Sequence, residues 1–260
     1  MANVVVTGAG NGIGAALSRR FAAAGHAVAL LDVEEDAAAA VAREISLAGG
    51  TALARACDVT DPGACDVAVA AVVDAWGGVD VLVNNAGITH VGLVRDTDPR
   101  VLRRVLDVNF FGAVHMTRAA LPSLLARRGG VAALSSVAGV APLANRAGYV
   151  ASKHALTGFF ETLRCEQARD GLAVTLVFPS FVDTGIGTRA LAADGRAAGA
   201  GARTGVAHAI GPDEAAEVIY RGIVRRRRVV WVGREARLAG WLARLAPRLY
   251  ERRMIRRTGV

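Results

Sequence analysis

The sequence predicts an α/β protein: one doubly wound parallel sheet of about seven strands, with helices on both faces, in a single domain. Three observations predict it. Short apolar, β-branched runs alternate with longer stretches of helical character, and strands separated by helices pair in parallel through right-handed crossovers. The strand runs are continuously apolar, as expected where helices cover both faces of a sheet. No composition break or internal repeat divides the 260 residues, a length that one large domain can hold.

The elements follow in order. Asn3–Thr7 (N-V-V-V-T) is strand one, followed by glycines and a helix over Ile13–Ala24. Ala27–Asp32 is strand two and ends in an acid; an Ala-rich helix over about Glu34–Ala48 follows. Thr51–Ala56 is strand three. Asp61-Pro62 opens the next helix, with Asp as N-cap and Pro in the first turn. Val79–Asn84 is strand four, a long helix covers about Pro99–Ala126, and Gly130–Ser135 is strand five. Tyr149–Arg169 is helical, Leu172–Phe178 is strand six, Pro212–Val224 is helical and Val229–Val232 is strand seven. The Gly- and Ala-rich stretch Gly185–Gly205 lacks strong periodicity and predicts a mobile loop. The main unit is residues 1–233; residues 234–260 form an Arg-rich extension.

Composition excludes several classes. With 53% hydrophobic and 21% charged residues, the chain is too apolar for intrinsic disorder. Thirty Gly without a triplet period exclude collagen. Cys57, Cys65 and Cys165 form no C-x-x-C, which argues against a disulfide framework or a cysteine zinc module. His26, His90, His115, His154 and His208 show no H-E-x-x-H or paired spacing, so no metal is expected. The longest uncharged stretch, Gly129–Asn145, is 17 residues and broken by Ser, Gly and Pro, too short for a membrane span. Met1-Ala2-Asn3-Val4 carries no basic segment ahead of an apolar one, so no signal peptide is expected and a cytoplasmic location is.

The net charge of +8 is unevenly spread: residues 1–220 hold 18 basic and 21 acidic side chains, residues 221–260 hold 13 Arg and 2 Glu. The body is therefore slightly acidic. Arg225–Arg228 have no interleaved aromatics, and no nucleic-acid partner is expected. Of 31 basic residues, 30 are Arg; the exception is Lys153.

Strand one is followed by Thr7-Gly8-Ala9-Gly10-Asn11-Gly12-Ile13-Gly14, a T-G-x-x-x-G-x-G pattern. Glycines let the backbone turn tightly and approach a pyrophosphate, and the next helix offers free N–H groups at its positive dipole end. Gly8, Asn11, Gly12, Ile13 and Gly14 are thus candidate cofactor contacts. Asp32 ends strand two, where a carboxylate accepts hydrogen bonds from the ribose of NAD and repels the 2′-phosphate of NADP. Asn11 offers no cationic clamp for that phosphate, and Arg19 and Arg20 lie more than a turn into the helix. NAD is the expected cofactor.

Tyr149-Val150-Ala151-Ser152-Lys153 places a phenol and an ammonium at i and i+4, on one helix face. A nearby cation favours phenolate and would lower the Tyr149 pKa toward the range of a general acid–base. A Lys used once in the chain, four residues after one of three Tyr, points to a selected point charge. Ser136 follows strand five at the ligand end of the sheet, where a hydroxyl can hold a carbonyl or alcohol oxygen; Ser135 points to the other face.

Taken together, these residues resemble the short-chain dehydrogenase/reductase family in its short single-domain branch, over about residues 3–232. The resemblance rests on Thr7–Gly14, Asp58-Val59, Asn84-Asn85-Ala86-Gly87, Asn109 within Val108-Asn109-Phe110, Ser136, Tyr149 and Lys153. It implies a Rossmann-type fold, with Tyr149 as general acid–base. It further implies that Lys153 lowers the Tyr149 pKa and bonds the nicotinamide ribose, that Ser136 orients the substrate oxygen, and that Asn109 holds a water in a proton relay. Asp58 and Val59 would flank the adenine; Asn84 and Gly87 would line the ribose side, and Asn85 and Ala86 would also contact the cofactor. In the family a P-G-x-x-x-T segment holds the carboxamide. Here it reads Pro179-Ser180-Phe181-Val182-Asp183-Thr184. Pro179, Val182 and Thr184 match, while Ser180 replaces Gly and would narrow the turn beside the nicotinamide. Dimers or tetramers through the long helices are common in the family, so a homo-oligomer is implied.

The resulting expectation is an NAD-dependent enzyme interconverting a secondary alcohol and a ketone. Apolar residues such as Leu143 and Phe181 favour an apolar substrate. A 3-oxoacyl carrier-protein reductase using NADPH, docking its acidic carrier on the Arg-rich tail, is opposed by Asp32. A non-catalytic dinucleotide-binding scaffold is opposed by the intact Ser136, Tyr149 and Lys153. In the tail, Leu238, Trp241, Leu242, Leu245 and Leu249 recur at helical spacing beside Arg237, Arg244 and Arg248, with a break near Pro247. That amphipathic helix would lie on an anionic membrane surface, cover the pocket or a neighbouring subunit, or pack on its own domain.

Overall fold

The computed structural model describes residues 1–199 and 209–258. Its core is a seven-stranded sheet of β1 (Asn3–Thr7), β2 (Ala27–Asp32), β3 (Thr51–Ala56), β4 (Val81–Asn84), β5 (Gly130–Leu134), β6 (Ala173–Pro179) and β7 (Val229–Val232). The strand order is β3-β2-β1-β4-β5-β6-β7, and every neighbouring pair is parallel. The winding direction reverses between β1 and β4. Ligand crevices open at the carboxyl ends of strands beside such a switch point.

Helices cover both faces. On one lie α1 (Gly12–Ala23), α2 (Glu35–Leu47) and α7 (Pro212–Val224), with Leu17, Phe21 and Ile219 fully buried against β1 and β2. The other carries α3 (Pro62–Trp76), α5 (Gly112–Ala126) and α6 (Ala147–Glu166), which bury Met116, Leu124 and Phe160. The start of α3 is as the sequence predicts: Asp61 accepts from the Gly63 N–H at 2.8 Å and Pro62 occupies the first turn. Gly77, at φ 76°, ends it in the left-handed conformation that glycine adopts without steric cost.

Three expectations shift. Strand four starts at Val81 rather than Val79, because the Val79 N–H donates to Ser123 Oγ at 2.8 Å. The long helix over 99–126 is interrupted: α4 (Pro99–Leu106) passes into a wider π turn, Asp107–Phe111, before α5. Such turns open the i→i−4 ladder and concentrate at functional sites. Helix α6 begins at Ala147, one half-turn ahead of Tyr149, and ends at Glu166. Residues 185–199 are irregular, held by isolated bridges such as His90 with Leu191; the rest of the predicted mobile loop lies outside the described residues. After β7 come α8 (Arg234–Leu245) and α9 (Pro247–Thr258), separated at Pro247 as the sequence suggests.

Candidate active site

The carboxyl ends of the strands open into a cleft of about 2020 Å³, larger than a site for one drug-sized ligand. Its floor is the glycine loop. Gly8 and Gly12 adopt φ of +62° and +54°, a region costly to any side chain. Space is as restrictive as conformation: a Cβ on Gly14 would stand 2.1 Å from the Gly8 carbonyl oxygen, and one on Gly12 would stand 2.8 Å from Thr184 Cβ. The loop therefore brings bare backbone and the amino end of α1 to the cleft. Gly8, Asn11, Gly12 and Ile13 line it, whereas Gly14 is buried in the helix start and supports the loop's shape.

Asp32 has a structural task as well as a position. One carboxylate oxygen accepts from the Gly10 N–H at 2.8 Å and the other from the Glu34 N–H at 3.1 Å. The end of β2 thus braces the glycine loop while presenting charge to the cleft. Asp58 bonds Thr60 through both the N–H (2.9 Å) and the hydroxyl (2.8 Å), and Asp58 and Val59 lie on the cleft wall. Loop 84–87 is stapled to the glycine loop: Thr7 Oγ1 accepts from the Asn85 and Ala86 N–H groups, each at 3.0 Å. Asn85 Nδ2 donates to the Thr7 and Gly8 carbonyls, each at 2.9 Å. Asn85, Ala86 and Gly87 line the cleft. Asn84 does not: it is buried and its Nδ2 donates to Thr117 Oγ1 at 2.9 Å. Side chains alternate along a strand, and Asn84 points into the layer behind the cleft, contrary to its expected place on the ribose side.

Ser136, Tyr149 and Lys153 meet at the next part of the same wall. Ser136 stands at the end of β5, with its Oγ accepting from the Ala138 N–H at 3.2 Å. Ser135 points the other way, into α6, donating to the Lys153 carbonyl at 3.3 Å. Lys153 is 4% exposed; its Nζ donates to the Leu134 carbonyl at 2.7 Å and lies 5.7 Å from the centre of the Tyr149 ring. Asn109 sits in the π turn. Its Oδ1 accepts from the Ile88 N–H at 2.8 Å, and its Nδ2 donates to the Ile88 carbonyl and to Ser152 Oγ, at 3.0 and 2.9 Å. This pairing holds the loop after Gly87 against α6, and Asn109 itself is buried rather than part of the cleft lining.

The electrostatics differ from expectation. Burial pushes the Tyr149 phenol above its ordinary value, with Ser136 and Arg146 pulling it back down. Burial lowers the Lys153 ammonium to about 8. The expected depression of the Tyr149 pKa by Lys153 is not found: both groups are desolvated, and desolvation disfavours each charged form.

The segment after β6 resolves the Ser180 departure. Ser180 donates its N–H to the Val232 carbonyl at 2.9 Å. The residue facing it across the turn is Gly233, at φ +90°, where a Cβ would stand 2.4 Å from Ser180 Oγ. The missing side chain at 233 makes room for the one at 180, so the turn is not narrowed. Pro179, Val182 and Thr184 remain on the cleft wall.

One contributor has no signal in the sequence. Arg146, three residues ahead of Tyr149, is buried, and its Nη1 donates to Thr89 Oγ1 at 3.0 Å and the His90 carbonyl at 3.1 Å. Its partners lie more than 50 residues away along the chain. The tail takes up one of the options its pattern left open, the cover of the pocket: Leu238 and Leu242 of α8 and Tyr250 and Met254 of α9 wall the outer cleft.

A parallel sheet with its switch point, a glycine loop and one continuous crevice define a Rossmann-type protein. A family model described as short chain dehydrogenase matches residues 2–194. Dehydrogenase/reductase SDR family member 7B of Bos taurus is 38% identical over 262 residues, covering 98% of this chain and 80% of that protein. A dehydrogenase/reductase SDR family protein 7-like of Anopheles gambiae is 34% identical over 254 residues, covering 95% and 80%. A short chain dehydrogenase/reductase from Burkholderia phymatum, solved in complex with NAD, superposes with a TM-score of 0.85 at 25% identity, covering 95% of this chain and 94% of that one. The chain belongs to the short-chain dehydrogenase/reductase family of oxidoreductases.

Proposed function

We propose that the protein is an NAD(H)-dependent oxidoreductase that interconverts a secondary alcohol and a ketone on an apolar substrate. The observation that carries this is one cleft holding the glycine loop at its base and Ser136, Tyr149 and Lys153 on its wall. The glycine cradle fits a dinucleotide pyrophosphate, since side chains at Gly8, Gly12 and Gly14 would collide with neighbouring atoms. Gly8, Asn11, Gly12 and Ile13 would hold the pyrophosphate, Asp32 the adenosine ribose, Asp58 and Val59 the adenine, and Pro179, Val182 and Thr184 the carboxamide end. The related Burkholderia structure contains NAD, and the Asp32 charge disfavours a 2′-phosphate.

Held there, NAD(H) would supply the hydride chemistry at the substrate carbon. The chain's own work concerns the oxygen. The Ser136 hydroxyl donates to it and fixes its position. The Tyr149 phenol delivers a proton to it in reduction, and the phenolate takes one in oxidation. The Lys153 ammonium, 5.7 Å from the centre of the Tyr149 ring, would hydrogen-bond the nicotinamide ribose. Leu143, Phe181, Leu238 and Leu242 give the substrate side an apolar lining. A homodimer or homotetramer through the long helices accompanies this reading; light scattering on the purified chain tests it.

The test is a ketone and alcohol panel with NADH and NAD against their phosphorylated forms, followed by cofactor absorbance. Tyr149→Phe is expected to lose turnover by about 100-fold or more with cofactor binding retained. Unchanged turnover in that variant refutes the assignment, and preference for the phosphorylated cofactor favours the carrier-protein reductase reading.

A further inference from the structure

We infer that α8 and α9 form an interfacial platform that seats the mouth of the cleft on an anionic lipid surface. The argument begins with which side of α8 is buried. Ala236 is fully buried, and Gly240, one turn on, packs so closely on Trp231 that a Cβ there would stand 2.8 Å from the indole. The small residues of the helix thus face its own domain. Leu238, Trp241 and Leu245, spaced 3, 4 and 7 residues apart, share the opposite face and are 65%, 56% and 71% exposed. A helix that only covered its domain would turn these large side chains inward. Leu249 on α9 extends the exposed apolar surface, at 57%.

Charge selects the occupant. Residues 234–260 hold 8 Arg and 2 Glu, and Arg237 and Arg244 flank the apolar face. An apolar stripe with Trp and Leu, bordered by cations, fits the boundary between acyl chains and anionic headgroups. No described helix is long and apolar enough to cross a membrane, so the fit is to lying on a bilayer. A second copy is a poorer occupant, because a self-complementary patch would bring arginines against arginines. A nucleic acid would leave the central Leu and Trp against water.

The platform is continuous with the cleft: Leu238, Leu242, Tyr250 and Met254 line it from the same two helices. An apolar substrate dissolved in the bilayer would enter along them. This delivery step rests on the proposed oxidoreductase reading; membrane binding does not.

The experiment is flotation of the full-length protein with vesicles of phosphatidylcholine alone or mixed with phosphatidylserine. Binding to the mixed vesicles, weakened by added salt, is expected. Trp241→Glu with Leu245→Glu should reduce binding by about tenfold or more, and Arg237→Gln with Arg244→Gln several-fold, with circular dichroism and turnover of a water-soluble ketone unchanged. Failure of the wild type to float, or equal flotation of both double variants, overturns the inference. So does a fall in oligomeric mass in Trp241→Glu with Leu245→Glu, which would make the face an interface between copies. Flotation without ketone turnover would leave the platform standing and remove the oxidoreductase reading; turnover without flotation would do the reverse.

Discussion

The Lys153 ammonium lies 5.7 Å from the centre of the Tyr149 ring but is hydrogen-bonded to the Leu134 carbonyl, at 2.7 Å. The two side chains share a helix face and a desolvated wall without a direct hydrogen bond between them. The backbone of β5 holds the cation in place, and burial governs the titration of both groups. Their cooperation therefore depends on what shares the cleft with them.

The buried ammonium makes stability depend on pH in a stated direction. Lys153 titrates at about 8 in the fold against 10.5 in its ordinary state. Below about pH 8 both folded and unfolded chains carry the proton, and the folded state bears the full desolvation penalty. Between those values the unfolded chain keeps a proton the folded one has released, so stability rises with pH. The gap corresponds to an upper bound on the order of 3 kcal/mol. Denaturant midpoints of the wild type and Lys153→Met, compared at about pH 7 and about pH 10, should diverge by that rise. Parallel pH curves would show that the ammonium is not desolvated.

Arg146 should set the pH range of the reaction. Its charge lowers the Tyr149 pKa, and its bonds to Thr89 and the His90 carbonyl fix it near α6. In Arg146→Met the phenol loses that stabilisation of its ionised form. The alkaline rise of the alcohol-oxidation rate, where phenolate is the base, should move to higher pH, and Arg146→Lys should restore part of the shift. The KM for NAD should stay near the wild-type value. A lower rate with an unmoved pH profile would mean that Arg146 only supports the fold.

How much of this was legible in the sequence follows from the range of each interaction. The glycine loop, the acid ending β2 and the i, i+4 pair of Tyr149 and Lys153 are local patterns, and the structure brings them to one cleft. The π turn at Asp107–Phe111 contains no Gly or Pro to mark it, and a helical period runs through it unbroken. Arg146 is tied to residues 56 and 57 positions away, a distance no spacing argument spans. The expected effect of Lys153 on Tyr149 counted charge but not desolvation, which depends on the whole wall. Ser180 looked like a departure because its compensating partner, Gly233, comes from another element.

The tightest point of the glycine loop is Gly14. Its missing side chain leaves room for the Gly8 carbonyl, 2.1 Å from where a Cβ would be, and for Asn85 Nδ2 at 2.5 Å. The first neighbour is backbone and cannot rotate away. Gly14→Ala should lose about 1–3 kcal/mol of stability and weaken NAD binding by about tenfold or more. Gly158→Ala is the control: it lies within α6 with nothing within 4 Å of its Cβ position. There alanine should stabilise by about 0.5–1 kcal/mol. Thermal melts and NAD titrations of both variants read the contrast, and equal behaviour would mean that the loop relaxes freely.

Asp32 combines two effects that one substitution separates. Its carboxylate braces the Gly10 and Glu34 N–H groups, at 2.8 and 3.1 Å, and its charge faces the cleft. Asp32→Asn keeps an oxygen to accept from one N–H and removes the charge; Asp32→Ala removes both. If charge excludes the 2′-phosphate, Asp32→Asn should shift the ratio of kcat/KM for NAD over NADP by about tenfold toward NADP, about 1.4 kcal/mol. Asp32→Ala should lower kcat/KM for both cofactors, because the loop loses its brace. A selectivity ratio unchanged in Asp32→Asn would remove Asp32 as the discriminating group and leave it only the loop-bracing role.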